Sequence, residues 1–263
     1  MKKIIFLDTE TTGINTTDYL CQLAYKTGDE IFCELYKPPL RIPAEASAVT
    51  HISNKMVVDK PAFRESADYI PLKSMLEDEN NIMVAHNAKF DVGMVVKEGI
   101  QPKNVICTLR VARALDPENK LPQHKLQFLR YYLDIEIEAQ AHDALGDVLV
   151  LEQLFARLFD KIKKEKNISD DEVLAEMLAI SARPSLMGMF SFGKYNGKTV
   201  AEVAGTNRGY LEWFLNTKEK ESNLLHTGKS FGAFAALILA FKRSISFQSS
   251  TSNRISVKEH VDS

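Results

Sequence analysis

Ile4-Ile5-Phe6-Leu7-Asp8-Thr9-Glu10-Thr11-Thr12-Gly13 begins as a buried strand and ends in two carboxylates separated by a single residue. Side chains at i and i+2 of a strand share a face, so Asp8 and Glu10 stand side by side where the apolar run stops. Two bare carboxylates that close repel each other, and a divalent cation between them is the usual remedy. The same letters also fit a strand running into a polar turn at Thr12-Gly13. The rest of the chain decides between the two.

Working outward, Lys3 to Asp8 reads as the first strand, and Tyr19 to Lys26 with Glu30 to Tyr36 as a hairpin turning at Thr27-Gly28-Asp29. Ala44 to Thr50 and Phe63 to Glu79 follow as helices, with Pro61 just ahead of the second. Asn81 to His86 is a short apolar strand; it opens into Asn87 as N-cap of a helix from Lys89 to Glu98 that Gly99 closes. Val105 to Cys107 is a further strand, with helices at Leu109 to Leu115, Lys125 to Leu133, Asp143 to Lys164 and Asp170 to Ile180. Strands first, then strands alternating with helices, imply an α/β fold with a mixed sheet covered by helices.

A change of character comes at Arg183-Pro184. Beyond it, Asn196-Gly197 gives a type I′ hairpin signal, short helices are expected at Val200 to Ala204 and Tyr210 to Leu215, and Phe231 to Phe241 reads as a last apolar helix. The expected organisation is residues 1–166 as the main domain, 167–186 as a helical linker, 187–243 as a small α+β C-terminal domain and 244–263 as a flexible, Ser-rich tail. Tyr210, Trp213 and Phe214 fall at i, i+3 and i+4, the spacing of a core stripe or of a stacking platform for bases.

The chain has 263 residues, 45% hydrophobic and 26% charged, ordinary values for a globular protein. The apolar start stops at Asp8, short of the roughly 7 to 15 residues of a signal core. The longest apolar stretch, Phe231 to Phe241, is well under the roughly 20 residues of a membrane span. A cytoplasmic protein without a membrane partner is expected, and its three scattered cysteines, with no C-x-x-C, fit reduced thiols rather than a zinc ribbon. Net charge is only −2, but the part before Lys161 is acidic and the part from Lys161 onward is basic. Acidic metal sites would account for the first and phosphate contacts for the second, and solvated surface would account for either.

Two more polar clusters interrupt apolar segments: His86-Asn87-Ala88-Lys89-Phe90-Asp91 and His142-Asp143-Ala144-Leu145-Gly146-Asp147. Asp91 lies on the first turn of a helix, where N–H groups favour an anion. Asp147 adjoins the apolar stripe Leu151, Leu154, Phe155 and Leu158 and needs a partner. His142 falls on the loop leading into that helix. Two other motifs fail: Thr227-Gly228-Lys229-Ser230 ends like a P-loop but has Asn223 where a glycine is required. A His-Asp metal phosphohydrolase reading of His142-Asp143 would leave Asp8 and Glu10 without a role.

Taken together, Asp8-x-Glu10, Asp91 after His86-Asn87, and His142-x-x-x-x-Asp147 resemble the signature of the DEDDh (DnaQ-like) 3′-5′ exonucleases, over roughly Lys3 to Phe159. Met189 to Leu215 resembles the small C-terminal domain of exodeoxyribonuclease X-like proteins. The resemblance implies a ribonuclease H-like exonuclease fold and two divalent ions, Mg²⁺ or Mn²⁺, held by Asp8, Glu10, Asp91 and Asp147. It implies that His142 takes a proton from the attacking water. Asp8 would bridge both ions, Glu10 and Asp147 would complete one site and Asp91 would support the other. Thr11, Thr12, Gly13, His86 and Asn87 would contact the nucleic acid, expected to be DNA with a free 3′ end in repair or proofreading. An RNA-trimming enzyme of the same fold and a catalytically silent nucleic-acid-binding subunit are the alternatives. Oligomeric state is not legible.

Overall fold

The computed structural model describes residues 3–15, 17–118, 120–137, 143–183, 190 and 193–224, with side chains to 217 in the last stretch. The expected apolar helix Phe231 to Phe241 and the Ser-rich tail lie outside the described residues. The strands are β1 (Ile4–Thr11), β2 (Leu20–Thr27), β3 (Glu30–Leu35), β4 (Ile82–Ala85) and β5 (Val105–Cys107). The helices are α1 (Ala44–Thr50), α2 (Asn54–Val57), α3 (Tyr69–Glu77), α4 (Lys89–Lys97), α5 (Thr108–Ala114), α6 (Leu126–Tyr132), α7 (Ala144–Lys166), α8 (Asp170–Ala182), α9 (Val200–Thr206) and α10 (Arg208–Leu224).

The sheet runs β3-β2-β1-β4-β5, with β1 at its centre. β2 pairs with β1 and β3 antiparallel, whereas β4 pairs with β1 and β5 parallel, so the sheet is mixed as the element order implied. Burial on both faces explains why β1 reads as a continuous apolar run before Asp8. Alternation sorts the strand into two layers. Phe6 faces α7 and packs edge-to-face on Phe155, ring centroids 5.3 Å apart, within a core that includes Val148, Leu151 and Leu158. Ile5 and Leu7 face the opposite layer, with Leu72 and Leu76 of α3 and Val95 of α4.

At the end of β1 the register slips: Glu10 pairs with Gln22, but Thr11 pairs with Leu20, leaving Cys21 over. An extra residue of this kind bends and twists a strand, which re-aims the side chains beyond it. The slip falls at the carboxylates.

Several elements depart from expectation. The helix expected over Phe63 to Glu79 is broken into a 3₁₀ turn, Phe63–Glu65, and α3, because Ser66 takes an extended backbone and its hydroxyl donates to the Phe63 carbonyl at 2.7 Å. Asn87 is not an N-cap: its φ is +66°, and its carbonyl accepts from the Phe90 N–H instead. α2 was not expected; Asn54 ties it to the chain by exchanging two hydrogen bonds with the Ile42 backbone, each 2.9 Å.

The chain divides into two compact units, Met1–Ala182 and Arg183–Ser263. α8 belongs to the first and is no linker. Its Val173, Leu174 and Met177 are buried in the α7-side core, and Ser181 accepts the Cys107 N–H at 2.8 Å, so α8 closes the free edge of β5. In the second unit Phe190, Val203, Leu211 and Phe214 form a small core of their own. The Phe190 N–H donates to the Lys198 carbonyl at 2.8 Å, but the intervening chain makes a 3₁₀ turn at Gly193–Tyr195. Gly197 has φ +79° and Asn196 has no positive φ, so the expected type I′ turn is not formed. Both helices there run longer than expected. Among the described residues no helix is long and apolar enough to cross a membrane.

Candidate active site

β1 delivers Asp8 and Glu10 to the same face as Phe6, one and two steps further along the strand. That is the face α7 covers. α7 starts at the end of β1 because Asp143 caps it, its carboxylate accepting from the Gly146 N–H at 3.4 Å. Gln22 of β2, the register partner of Glu10, ties the cap to the sheet: its Nε2 donates to Asp143 Oδ1 at 3.4 Å and its Oε1 accepts from the Ala144 N–H at 3.3 Å. One turn in, Asp147 then meets the strand. A carboxylate oxygen from each of Asp8, Glu10 and Asp147 lies within 4.8 Å of the others.

Asp91 arrives from the other layer, on the first turn of α4, and is only 2% exposed. It is held there by Thr9, whose hydroxyl donates to Asp91 Oδ1 at 2.8 Å. The residue between the two strand carboxylates therefore positions a third on the opposite face. Asp91 stands apart from the three-carboxylate group, yet its charge reaches Asp8 and Glu10.

The electrostatics follow from burial and from like charges. Desolvation, then the charges of Asp91, Asp147, Glu10 and Asp143, raises the Asp8 pKa well above the usual carboxylate range. Glu10 is pushed up to about 8 by desolvation and by Asp147, Asp91 and Asp143. Asp91 is raised to about 7 chiefly by burial, against the Thr9 hydrogen bond that favours its charge. A set of hard oxygen donors that resists ionisation on its own fits a divalent cation, which supplies the positive charge these groups lack.

One residue that the sequence did not single out completes the arrangement. Gln127 of α6 donates its Nε2 to Asp147 Oδ1, and its own Oε1 is buried without a hydrogen-bond partner among the described residues. A lysine there would place a cation against the carboxylates and compete with a metal; an amide orients Asp147 without changing the charge. No motif points to Gln127.

The remaining expected residues fare unevenly. His142 lies outside the described residues. Thr11 and Thr12 are buried, and the Thr12 N–H already donates to the Tyr19 carbonyl at 2.9 Å, so it does not face a nucleotide. Gly13 sits where a Cβ would come within 2.5 Å of Asp18 Oδ2, which itself accepts the Asn15 N–H. Asn87 is exposed. His86 is engaged internally: Nε2 lies 2.8 Å from the His124 carbonyl and Nδ1 2.9 Å from Thr108 Oγ1. A carbonyl can only accept, so Nε2 carries the proton and Nδ1 accepts from Thr108. Burial lowers its pKa to about 4, keeping it neutral. His86 thus ties the end of β4 to the segment before α6 rather than offering its ring to nucleic acid.

Residues 5–155 match the family model RNase T, described as an exonuclease, and residues 190–218 match the exodeoxyribonuclease X-like C-terminal model. Exodeoxyribonuclease 10 of Escherichia coli (strain K12) is 33% identical over 190 residues, 72% of this chain and 78% of that protein. The DNA polymerase III subunit epsilon of Buchnera aphidicola is 33% identical over 181 residues, 59% of this chain and 71% of that protein. Among solved structures, an exonuclease I from Methylocaldum szegediense superposes with a TM-score of 0.51 at 20% identity, covering 66% of this chain and 43% of that one, a likeness of fold.

Proposed function

Since the chain belongs to the RNase T exonuclease family and is a hydrolytic exonuclease, we propose that it removes nucleotides one at a time from the 3′ end of DNA, using two divalent ions. The observation that carries this reading is the meeting of Asp8, Glu10 and Asp147 within 4.8 Å at the end of the central strand. Asp8, Glu10 and Asp147 would hold one Mg²⁺ or Mn²⁺ and Asp91 would support a second; such ions would supply Lewis acidity toward water and positive charge toward the scissile phosphate. Thr9 fixes Asp91 and Gln127 fixes Asp147 before substrate arrives, while Gln22 holds the cap of α7 against the sheet. His142 accepts the proton of the attacking water, a task suited to an imidazole near neutral pH. Gly13 and Asn87, less buried than Thr11 and Thr12, contact the terminal nucleotides.

DNA is favoured over RNA because a relative covered over 78% of its own length is named an exodeoxyribonuclease. The likeness to a DNA polymerase III subunit supports a role in proofreading or repair, and a cytoplasmic location belongs to the same reading. The domains follow the two compact units, with 1–182 as the exonuclease domain and the residues beyond as an accessory domain. The test uses single-stranded DNA, duplex DNA and RNA, each labelled at its 5′ end, with Mg²⁺ or with a chelator. A ladder shortening from the 3′ end of DNA, lost with chelator, is expected. Release of the labelled nucleotide first, or faster trimming of RNA, contradicts the reading.

A further inference from the structure

The second unit carries a surface that the chemistry of the carboxylate site does not use. The i, i+3, i+4 stripe of α10 is divided: Phe214 is buried in the small core and Tyr210 is half-buried against it, while Trp213 is 58% exposed. The Tyr210 and Trp213 rings lie 5.5 Å apart between centroids, tilted by 40°, and Tyr195 meets Tyr210 edge-to-face at 4.7 Å, so two half-buried tyrosines brace an exposed indole. Lys194 joins them, its ammonium 4.9 Å from the Tyr195 centroid and 5.6 Å from that of Tyr210. Lys198 and Arg208 flank the same small unit in exposed pairs with Glu202 and Glu212, at 3.9 and 3.1 Å. Pairs that exposed hold their partners weakly and reorient readily toward a phosphate. From Met187 onward the sequence has 10 Lys and Arg against 6 Asp and Glu, but residues 187–224, which carry this surface, have 5 against 4, so the lysine and the indole, not net charge, mark the site.

We propose that Trp213, Tyr210 and Tyr195 with Lys194 form a stacking platform for single-stranded nucleic acid, an accessory binding site separate from the carboxylates. Every base presents a π-face, so an exposed indole holds a strand without reading its sequence, and the lysine meets the backbone. The choice of ligand class rests on the exonuclease reading; the geometry supplies the location. The surface acts in capture and not in chemistry.

Trp213 is the only tryptophan of the chain, so its emission reports on the platform directly. The full-length protein, held in chelator so that no strand is cut, is titrated with oligothymidylate, with blunt duplex DNA and with inorganic polyphosphate. Expected is a saturable loss of emission with oligothymidylate and none with polyphosphate, which offers charge without bases. Anisotropy of a labelled oligothymidylate should show about five-fold or weaker binding for Trp213→Ala, with Trp213→Phe restoring it, and a shallower salt dependence for Lys194→Gln. Unchanged emission, equal quenching by polyphosphate, or wild-type affinity in a folded Trp213→Ala protein overturns the platform. The carboxylate reading is scored separately by cleavage with Mg²⁺. A protein that cuts DNA without quenching loses only the platform, and one that quenches without cutting loses only the assigned chemistry.

Discussion

At the scale of the residue, the carboxylates are kept close against their mutual repulsion. The folded protein without metal holds protons on Asp8, Glu10 and Asp91 at pH values where the unfolded chain, with carboxyl groups titrating near about 4, has released them. Between about pH 4 and pH 8 the folded state therefore binds more protons, and stability falls as pH rises through that window. Melting in chelator should be lower at pH 8 than at pH 5.5, and added Mg²⁺ should raise it more at pH 8; a metal-free melting temperature that climbs between those values contradicts this. Asp8→Asn removes one of the crowded charges, so it should abolish nearly all cleavage while leaving the metal-free melting temperature at pH 8 unchanged or raised. Gln127→Leu tests orientation: metal affinity or turnover should fall about 10- to 100-fold, the range for partners behind a metal ligand. Gln127→Lys should weaken metal binding further by adding a charge. That Asp8 and Glu10 share a face was legible because D-x-E on a strand leaves a visible anomaly, whereas Asp91 and Asp147 stood out only beside it, through the resemblance of the joint pattern. Thr9 and Gln127 were not, since a threonine in a strand and a glutamine in a helix satisfy local preferences and acquire their roles only through contacts 82 and 20 residues away.

At the scale of the element, α7 is the device that converts a strand motif into a site. Its apolar face recurs along 23 residues and pins the helix over Phe6, which fixes Asp147 opposite Asp8 and Glu10. The sequence showed this helix plainly, because the periodicity is long. The sequence reading puts α8 in a linker over 167–186, ahead of Arg183-Pro184, since nothing local says that Ser181 will accept from the backbone of β5. The break at Ser66 was hidden because a hydroxyl bonding the carbonyl three residues back leaves no periodic trace. Met177 is fully buried in α8, so Met177→Ala should cost about 2 to 5 kcal/mol, measured by denaturant unfolding. A chain cut after Lys166 should fail to fold, whereas one cut after Ala182 should fold and retain cleavage. Equal stability of the two truncations would return α8 to the status of a linker.

At the scale of the whole molecule, the first unit brings carboxylates from both layers of the sheet to the end of β1, and the second presents aromatic and basic groups of its own. The mixed sheet and its helical cover could be read from element order because buried strands and amphipathic helices announce themselves. The division of labour could not, since Tyr210, Trp213 and Phe214 share one periodic stripe and only packing decides which of them stays outside. On the proposed reading, Asp8, Glu10 and Asp147 together hold a divalent cation. Calorimetric titration of Mn²⁺ into the chelator-stripped protein, without nucleic acid and beside the same titration of Asp8→Asn, tests that claim most directly. Saturable binding to the wild type that is lost or greatly weakened in Asp8→Asn is the predicted result; equal binding by the two proteins would contradict it.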